Sequence, residues 1–209
     1  MSLLVKVCGM TRAEDAAFCE ESGADFLGFI FHPSSPRNVD EAFARSVKTS
    51  SAKKVGVFVK QSAAEVIEIM KNGRLDFAQL HGGQNEEFCD TVGRERVIKV
   101  LWPQRYESSK EFQDDIDRFA PHCAYLLFDA GKSGGGHGVS MAFDVFEDVE
   151  IPVPWLLAGG LSAENLEHAL ITAKPSGVDL NSGVESEPGI KDKNRLGDAF
   201  ACIARQRRG

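Results

Sequence analysis

No stretch of this chain holds the roughly 20 consecutive apolar residues that a membrane-spanning helix needs, so no span is expected. The N-terminus lacks the basic flank and hydrophobic segment of a signal peptide, and a cytoplasmic protein is expected. Positive charge is also in short supply: 24 Lys and Arg stand against 31 Asp and Glu, a formal net charge of -7. That balance argues against nucleic acid or an anionic membrane surface as partner. An anionic small molecule remains compatible, because backbone dipoles at helix starts hold phosphate without net positive charge. Cysteine is sparse and unpaired in pattern: Cys8, Cys19, Cys89, Cys123 and Cys202 are scattered, with no C-x-x-C. Free thiols in a reducing compartment are expected rather than a disulfide or zinc framework. The five histidines are not spaced as metal ligands on a helix face, so no metal is expected. Low-complexity tracts, coiled-coil repeats and polar linkers are missing as well.

What is there is regular alternation. With 209 residues, 43% of them hydrophobic, one domain over 1–209 with a sizeable core is expected. Short apolar runs at 3–7, 25–30, 54–59, 77–80, 97–101, 125–128, 154–157 and 177–180 read as strands. Between them, helix-period segments fall at 12–21, 40–49, 63–71, 85–92, 110–119, 163–173 and 193–205, with a weaker one at 141–146. Strands this apolar, separated by helices, suggest a parallel sheet buried on both faces. An open doubly wound sheet would hold most of these elements, but eight units in one domain favour a closed (βα)₈ TIM barrel. Ser162 and Asp192 are expected to cap the helices that follow them.

In such a barrel the C-terminal strand ends carry the chemistry. Cys8 closes the first apolar run in Lys6-Val7-Cys8-Gly9-Met10-Thr11, and Asp129 closes Leu126-Leu127-Phe128. A strand-end cysteine is ordinarily a small buried apolar residue. Strand parity puts Lys6 on the same face as Cys8. If that face is the barrel interior, the ammonium group favours a thiolate able to take a proton from carbon. Otherwise Lys6 points to the helices and snorkels. A buried Lys6 needs a carboxylate, and Asp179, in the strand that neighbours the first one after closure, is the expected ion-pair partner beneath the substrate site. Asp129 reads either as a turn cap or as a general acid kept protonated by its apolar setting. The glycine-rich segment behind it is too flexible for a simple cap and favours the acid.

Two later strand ends carry small residues suited to phosphate. Ala158-Gly159-Gly160-Leu161-Ser162 and Asn181-Ser182-Gly183-Val184 would bring backbone N–H groups close to an anion, at the two loops where this architecture repeatedly binds phosphate. The segment Gly131-Lys132-Ser133-Gly134-Gly135 matches G-x-S-x-G and the tail of a P-loop. It has neither the strand–Ser–helix elbow nor the glycine five residues before the lysine, so both readings fail. A mobile loop over the site is the better expectation. In Phe31-His32-Pro33-Ser34-Ser35-Pro36-Arg37 two prolines stiffen a loop. Arg37 then either presents its planar fork to a substrate carboxylate or is an ordinary exposed arginine.

Taken in order, these pieces resemble one family, the phosphoribosylanthranilate isomerases of tryptophan biosynthesis. The likeness is carried by Val5-Lys6-Val7-Cys8-Gly9-Met10-Thr11, by Gly23-Ala24-Asp25-Phe26-Leu27-Gly28-Phe29-Ile30-Phe31, and by Ser35-Pro36-Arg37. It continues in Val55-Gly56-Val57-Phe58-Val59, Gln79-Leu80-His81-Gly82, Leu127-Phe128-Asp129, Leu157-Ala158-Gly159-Gly160-Leu161 and Gly177-Val178-Asp179-Leu180-Asn181-Ser182-Gly183-Val184-Glu185. The resemblance implies a (βα)₈ barrel with no cofactor and a small phosphorylated substrate. The implied reaction is the Amadori rearrangement of N-(5-phosphoribosyl)anthranilate to 1-(2-carboxyphenylamino)-1-deoxyribulose 5-phosphate. It implies Cys8 as general base and Asp129 as general acid. Arg37 is implied at the anthranilate carboxylate, and Gly159, Gly160, Ser182 and Gly183 around phosphate, with Asp179 in the substrate site. The chain departs from the family at Phe143-Asp144-Val145-Phe146, where Phe-Asp-Trp is frequent. Sugar-phosphate epimerases of the same shape are a rival, but they use His and Asp metal ligands not found here; a silent phosphate-binding barrel is another. Monomer and homodimer are both open.

Overall fold

A computed structural model describes residues 3–130 and 143–206. Eight parallel strands follow one another around a closed barrel: β1 (Leu4–Val7), β2 (Phe26–Ile30), β3 (Lys53–Phe58), β4 (Phe77–Leu80), β5 (Val97–Leu101), β6 (Tyr125–Asp129), β7 (Trp155–Ala158) and β8 (Gly177–Leu180). The seam closes between β1 and β8, in a register that sets Lys6 opposite Asp179. The helices are α1 (Ala13–Glu21), α2 (Glu41–Ser46), α3 (Ala63–Gly73), α4 (Glu86–Val92), α5 (Ser109–Phe119), α6 (Leu166–Ala173) and α7 (Lys193–Gln206). The helix expected over 141–146 is not formed: residues 143–146 carry only a 3₁₀ turn, Asp144–Phe146, and residues 141 and 142 lie outside the described residues. No helix of the described residues is long and apolar enough to cross a membrane.

Two cores follow from strand parity. Alternate residues face inward, and Phe26, Val55, Ile98, Val100, Leu127 and Leu156 fill the barrel. At the N-terminal ends of the strands, Phe26, Phe77 and Tyr125 meet edge to face with centroids 5.6–5.8 Å apart and plug the floor. The outward residues, among them Val5, Val7, Leu80, Phe128, Leu157 and Leu180, pack under the helices. Residues buried on both faces explain why the strands read as continuous apolar runs.

Local chemistry fixes the helix starts. Asp40, Ser62, Asn85 and Ser108 each accept a backbone N–H three residues on, and Ser62 with Glu65 completes a capping box. Asp192 caps α7 as expected, taking the N–H groups of Asn194 and Arg195 at 2.9 and 3.1 Å. Ser162 does not cap α6, which starts only at Leu166. Asn165 uses its amide on the preceding loop, accepting from Ser162 N (2.9 Å) and donating to Gly160 O (3.1 Å), which holds that segment as a turn. On the lower rim, buried Lys54 donates to the carbonyls of Ala44 (2.9 Å), Gly73 (3.2 Å) and Val47 (3.5 Å), and so satisfies the C-terminal ends of α2 and α3 together.

One element was not expected. After β8 the chain makes a 3₁₀ turn, Ser182–Val184, and then a short antiparallel hairpin, β9 (Glu185–Glu187) and β10 (Ile190–Lys191). Thr11 Oγ1 donates to the carbonyl of Gly189 at its tip, tying the hairpin to the loop after β1.

Candidate active site

The upper mouth of the barrel opens into a cavity of about 1010 Å³. Its wall includes Cys8, His81, Trp102, Arg105, Asp129, Gly159, Gly160, Asp179, Asn181 and Ser182. Parity explains the set. Cys8 continues the inward series Leu4–Lys6, His81 continues Phe77–Gln79, and Asp129 continues Tyr125–Leu127. The strand ends therefore bring together Cys8 and Asp129, which are 121 residues apart in sequence.

Lys6 points inward, fully buried, and its ammonium lies 2.8 Å from the Asp179 carboxylate. Burial is the largest influence and works against that ammonium, but Asp179 and, after it, Cys8 together hold the Lys6 pKa above its ordinary value. Lys6 favours the Cys8 thiolate, as parity leads one to expect, but it does not decide the balance. Burial pushes the thiol up from its ordinary 9.0, and Lys6 offsets this only in part. The reason is that Lys6 is already neutralised by Asp179, whose own negative charge adds to the rise. In the ligand-free site Cys8 is therefore a thiol.

Glycines make room for it. A Cβ on Gly28 would lie 2.7 Å from Cys8 Sγ. Gly9, with φ +80°, would press a Cβ to 2.8 Å from both Arg37 Cδ and Asn181 Oδ1. The residue after Cys8 is thus the point where β1, the β2 loop and the β8 loop converge.

Asp129 is 26% exposed at the mouth, with His81 Nε2 3.9 Å from its Oδ2. The His81 ring stands edge-on to Trp102, centroids 5.3 Å apart, and its Nδ1 lies 3.4 Å from Gln79 Nε2. Burial first, then the Lys6 ammonium, lower its pKa to about 4, so at neutral pH it is an uncharged imidazole. Arg105 stacks on Trp102 at 3.9 Å, bringing a cation to the same wall.

Arg37 does not line the cavity. A turn closed by Ser35 Oγ, accepting from Arg37 N at 3.1 Å, aims it behind Gly9, where Glu185 takes its Nε and Nη2 at 2.5–3.1 Å. The two small-residue loops pack against each other. A Cβ on Gly183 would fall 2.1 Å from Leu161 O, so Gly183 serves the contact between loops while Gly159, Gly160 and Ser182 face the cavity. Gly159 and Gly160 have φ of +112° and +71°.

Sequence reasoning gave no role to His81, Trp102, Arg105 or Gln79. The parity signal for His81 and Gln79 was present, since both alternate with Phe77. Nothing local marks them, because no glycine loop or proton-transfer pair sits beside them. The glycine-rich residues 131–138 lie outside the described residues, so the lid expectation does too. All five cysteines are buried free thiols.

A thiol and a carboxyl group facing one cavity at the upper mouth of a (βα)₈ barrel, with small residues at the ends of β7 and β8, place the chain among the barrel enzymes. The chain belongs to the N-(5'-phosphoribosyl)anthranilate (PRA) isomerase family, whose model matches residues 5–201. An N-(5'-phosphoribosyl)anthranilate isomerase of Maridesulfovibrio salexigens is 80% identical over 203 residues, covering 97% of this chain and 99% of the relative. The crystal structure of phosphoribosyl anthranilate isomerase from Thermus thermophilus is similar with a TM-score of 0.82 at 34% identity, covering 98% of this chain and all of that one. A phosphoribosyl anthranilate isomerase crystallised with reduced 1-(o-carboxyphenylamino)-1-deoxyribulose 5-phosphate matches with a TM-score of 0.82 at 28% identity, covering 97% and 98%.

Proposed function

We propose that this chain catalyses the Amadori rearrangement of N-(5-phosphoribosyl)anthranilate to 1-(2-carboxyphenylamino)-1-deoxyribulose 5-phosphate, in tryptophan biosynthesis in the cytoplasm. The single observation that carries the reading is the convergence of Cys8 and Asp129 on one cavity wall in a member of this family. Asp129 donates a proton to the ribose ring oxygen. The C1–O bond breaks as the nitrogen lone pair forms a cationic iminium. Cys8 then removes the proton from C2, the C2–H electrons become the C1=C2 bond, and the resulting enolamine tautomerises to the ketone. The thiol is a poor base at rest. Once Asp129 has released its proton, its carboxylate takes the thiol's proton, directly or through water, and the positive iminium beside Cys8 lowers the cost of that ionisation. The resulting thiolate accepts the C2 proton, so both groups return to their starting states.

Phosphate sits against Gly159, Gly160 and Ser182, where positive φ and missing side chains let backbone N–H groups approach. Gly183 supports that cradle by packing on Leu161. Asp179 forms the floor beneath the ribose, and Arg37, held by Glu185 behind Gly9, is the cation assigned to the anthranilate carboxylate. No cofactor enters these steps.

The test follows loss of anthranilate-type fluorescence after the substrate is generated in situ from anthranilate and phosphoribosyl pyrophosphate by a separate transferase. Enzyme-dependent decay is expected, with kcat reduced at least roughly 10²-fold in Cys8→Ser and in Asp129→Asn, the scale of acid–base catalysis. Decay no faster than the spontaneous rate with the unsubstituted protein would remove the activity. Near-normal turnover in either variant would remove that residue from its role.

A further inference from the structure

Arg37, Glu185 and Lys191 form a buried charge cluster behind the cavity. Glu185 Oε1 lies 3.0 Å from Arg37 Nε and 2.8 Å from Lys191 Nζ, and Glu185 Oε2 lies 2.5 Å from Arg37 Nη2. Glu185 and Lys191 are nearly solvent-free, with side chains 3% and 1% exposed, while Arg37 keeps 17%. Lys191 Nζ also donates to Asn181 Oδ1 at 3.1 Å, and Asn181 lines the cavity. The hairpin that carries both residues is pinned from below: Lys191 N donates to buried Asp15 at 3.2 Å, and Arg195 Nη1 donates to Glu185 O at 2.5 Å.

A guanidinium has two edges that can each take a carboxylate. Glu185 holds the Nε–Nη2 edge, which fixes the plane of Arg37 and leaves the Nη1 edge for another anion. The charges then decide whether such an anion is attracted. Arg37 and Glu185 alone would cancel. Lys191, on the same carboxylate, returns the cluster to one net positive charge. Burial opposes ionisation of Glu185, yet the two cations hold its pKa below the ordinary carboxylate range, so Glu185 stays a carboxylate at neutral pH.

We propose that Glu185 and Lys191 are positioning residues for Arg37 and set this enzyme's preference for an aromatic amine bearing a carboxylate. Glu185 fixes the direction of the guanidinium, and Lys191 restores the charge that Glu185 would otherwise cancel. This inference rests on the reaction proposed above and on Arg37 as the carboxylate-binding group.

The experiment compares two substrates prepared chemically from ribose 5-phosphate, one with anthranilate and one with aniline, which lacks the carboxylate. The readout is the ratio of their kcat/KM values, so that any general loss of activity divides out. Arg37→Ala sets the scale for losing the carboxylate contact. Lys191→Met is expected to lower the ratio roughly tenfold through KM for the anthranilate substrate, equivalent to about 1.4 kcal/mol, and Lys191→Arg to restore most of it. Glu185→Gln keeps the positive charge but loses the orientation, so its loss is expected in kcat for the anthranilate substrate more than in KM. An unchanged ratio in both Lys191→Met and Glu185→Gln, with Arg37→Ala lowering it, overturns the inference and leaves the reaction standing. An inactive unsubstituted enzyme overturns the reaction itself. Urea melts of each variant separate folding from function: a folded Lys191→Met with an unaltered ratio counts against the inference even if Glu185→Gln fails to fold.

Discussion

The Lys6 ammonium and the Asp179 carboxylate meet 2.8 Å apart across the seam where β1 joins β8, with one oxygen of Asp179 left without a hydrogen-bond partner among the described residues. Removing one member strands the other in the barrel. Lys6→Met or Asp179→Leu alone is expected to cost about 3–5 kcal/mol, whereas the double substitution should cost less than the sum. Urea midpoints at constant slope check this, and strictly additive losses would show that the two charges do not interact.

Cys8 is expected to limit the pH profile once the acid is gone. In Asp129→Asn the reactive fraction is the thiolate alone, and burial places the thiol above its ordinary 9.0. The thiolate fraction then grows about tenfold for each pH unit below that point, so kcat/KM should climb from pH 7 to 9 without levelling. A plateau near pH 7 would mean that Lys6 overrides burial.

Gly28 faces the thiol so closely that an added methyl group must move it. Gly28→Ala, with its Cβ due 2.7 Å from Sγ, is expected to lower kcat by roughly 10²-fold, the scale for a misplacement of about 1 Å, while the barrel still folds. Circular dichroism together with turnover distinguishes a displaced thiol from a collapsed fold, and unaltered kcat would show that the base has slack.

His81 makes stability depend on pH. Its folded-state pKa of about 4 lies below the ordinary 6.5, so the unfolded chain binds the proton more readily between those values. This contribution is complete above pH 6.5 and drains away as pH falls toward 4. His81→Gln should therefore show a shallower loss of thermal stability across that window, and a slope identical to that of the unsubstituted protein would contradict the shift.

Much of the scaffold was legible because its strands are apolar on both faces: Phe77–Leu80, Val97–Leu101 and Gly177–Leu180 fall where the runs alone put them. The Lys6–Asp179 pair followed from parity and closure together. The hairpin Glu185–Lys191 gave no such signal, since three- and two-residue strands built from Glu185-Ser186-Glu187 and Ile190-Lys191 have no periodicity and are held by distant partners, Thr11, Asp15, Arg37 and Arg195. Ser162 looked like a helix cap because the sequence does not reveal that Asn165 bonds backward to the loop. The state of Cys8 is illegible in the sequence for a similar reason: proximity to Lys6 is readable, but complete burial and the charge that Asp179 already takes from Lys6 are not.

Lys54, with its three carbonyl partners, sits at the opposite end of the barrel from Cys8 and touches none of the groups that handle protons. Lys54 therefore contributes to stability apart from the reacting groups, whereas the Lys6–Asp179 pair serves the barrel and the site at once. A lineage moving to a hotter or colder habitat can retune the helix ends around Lys54 without moving the reacting atoms at the other end of the strands.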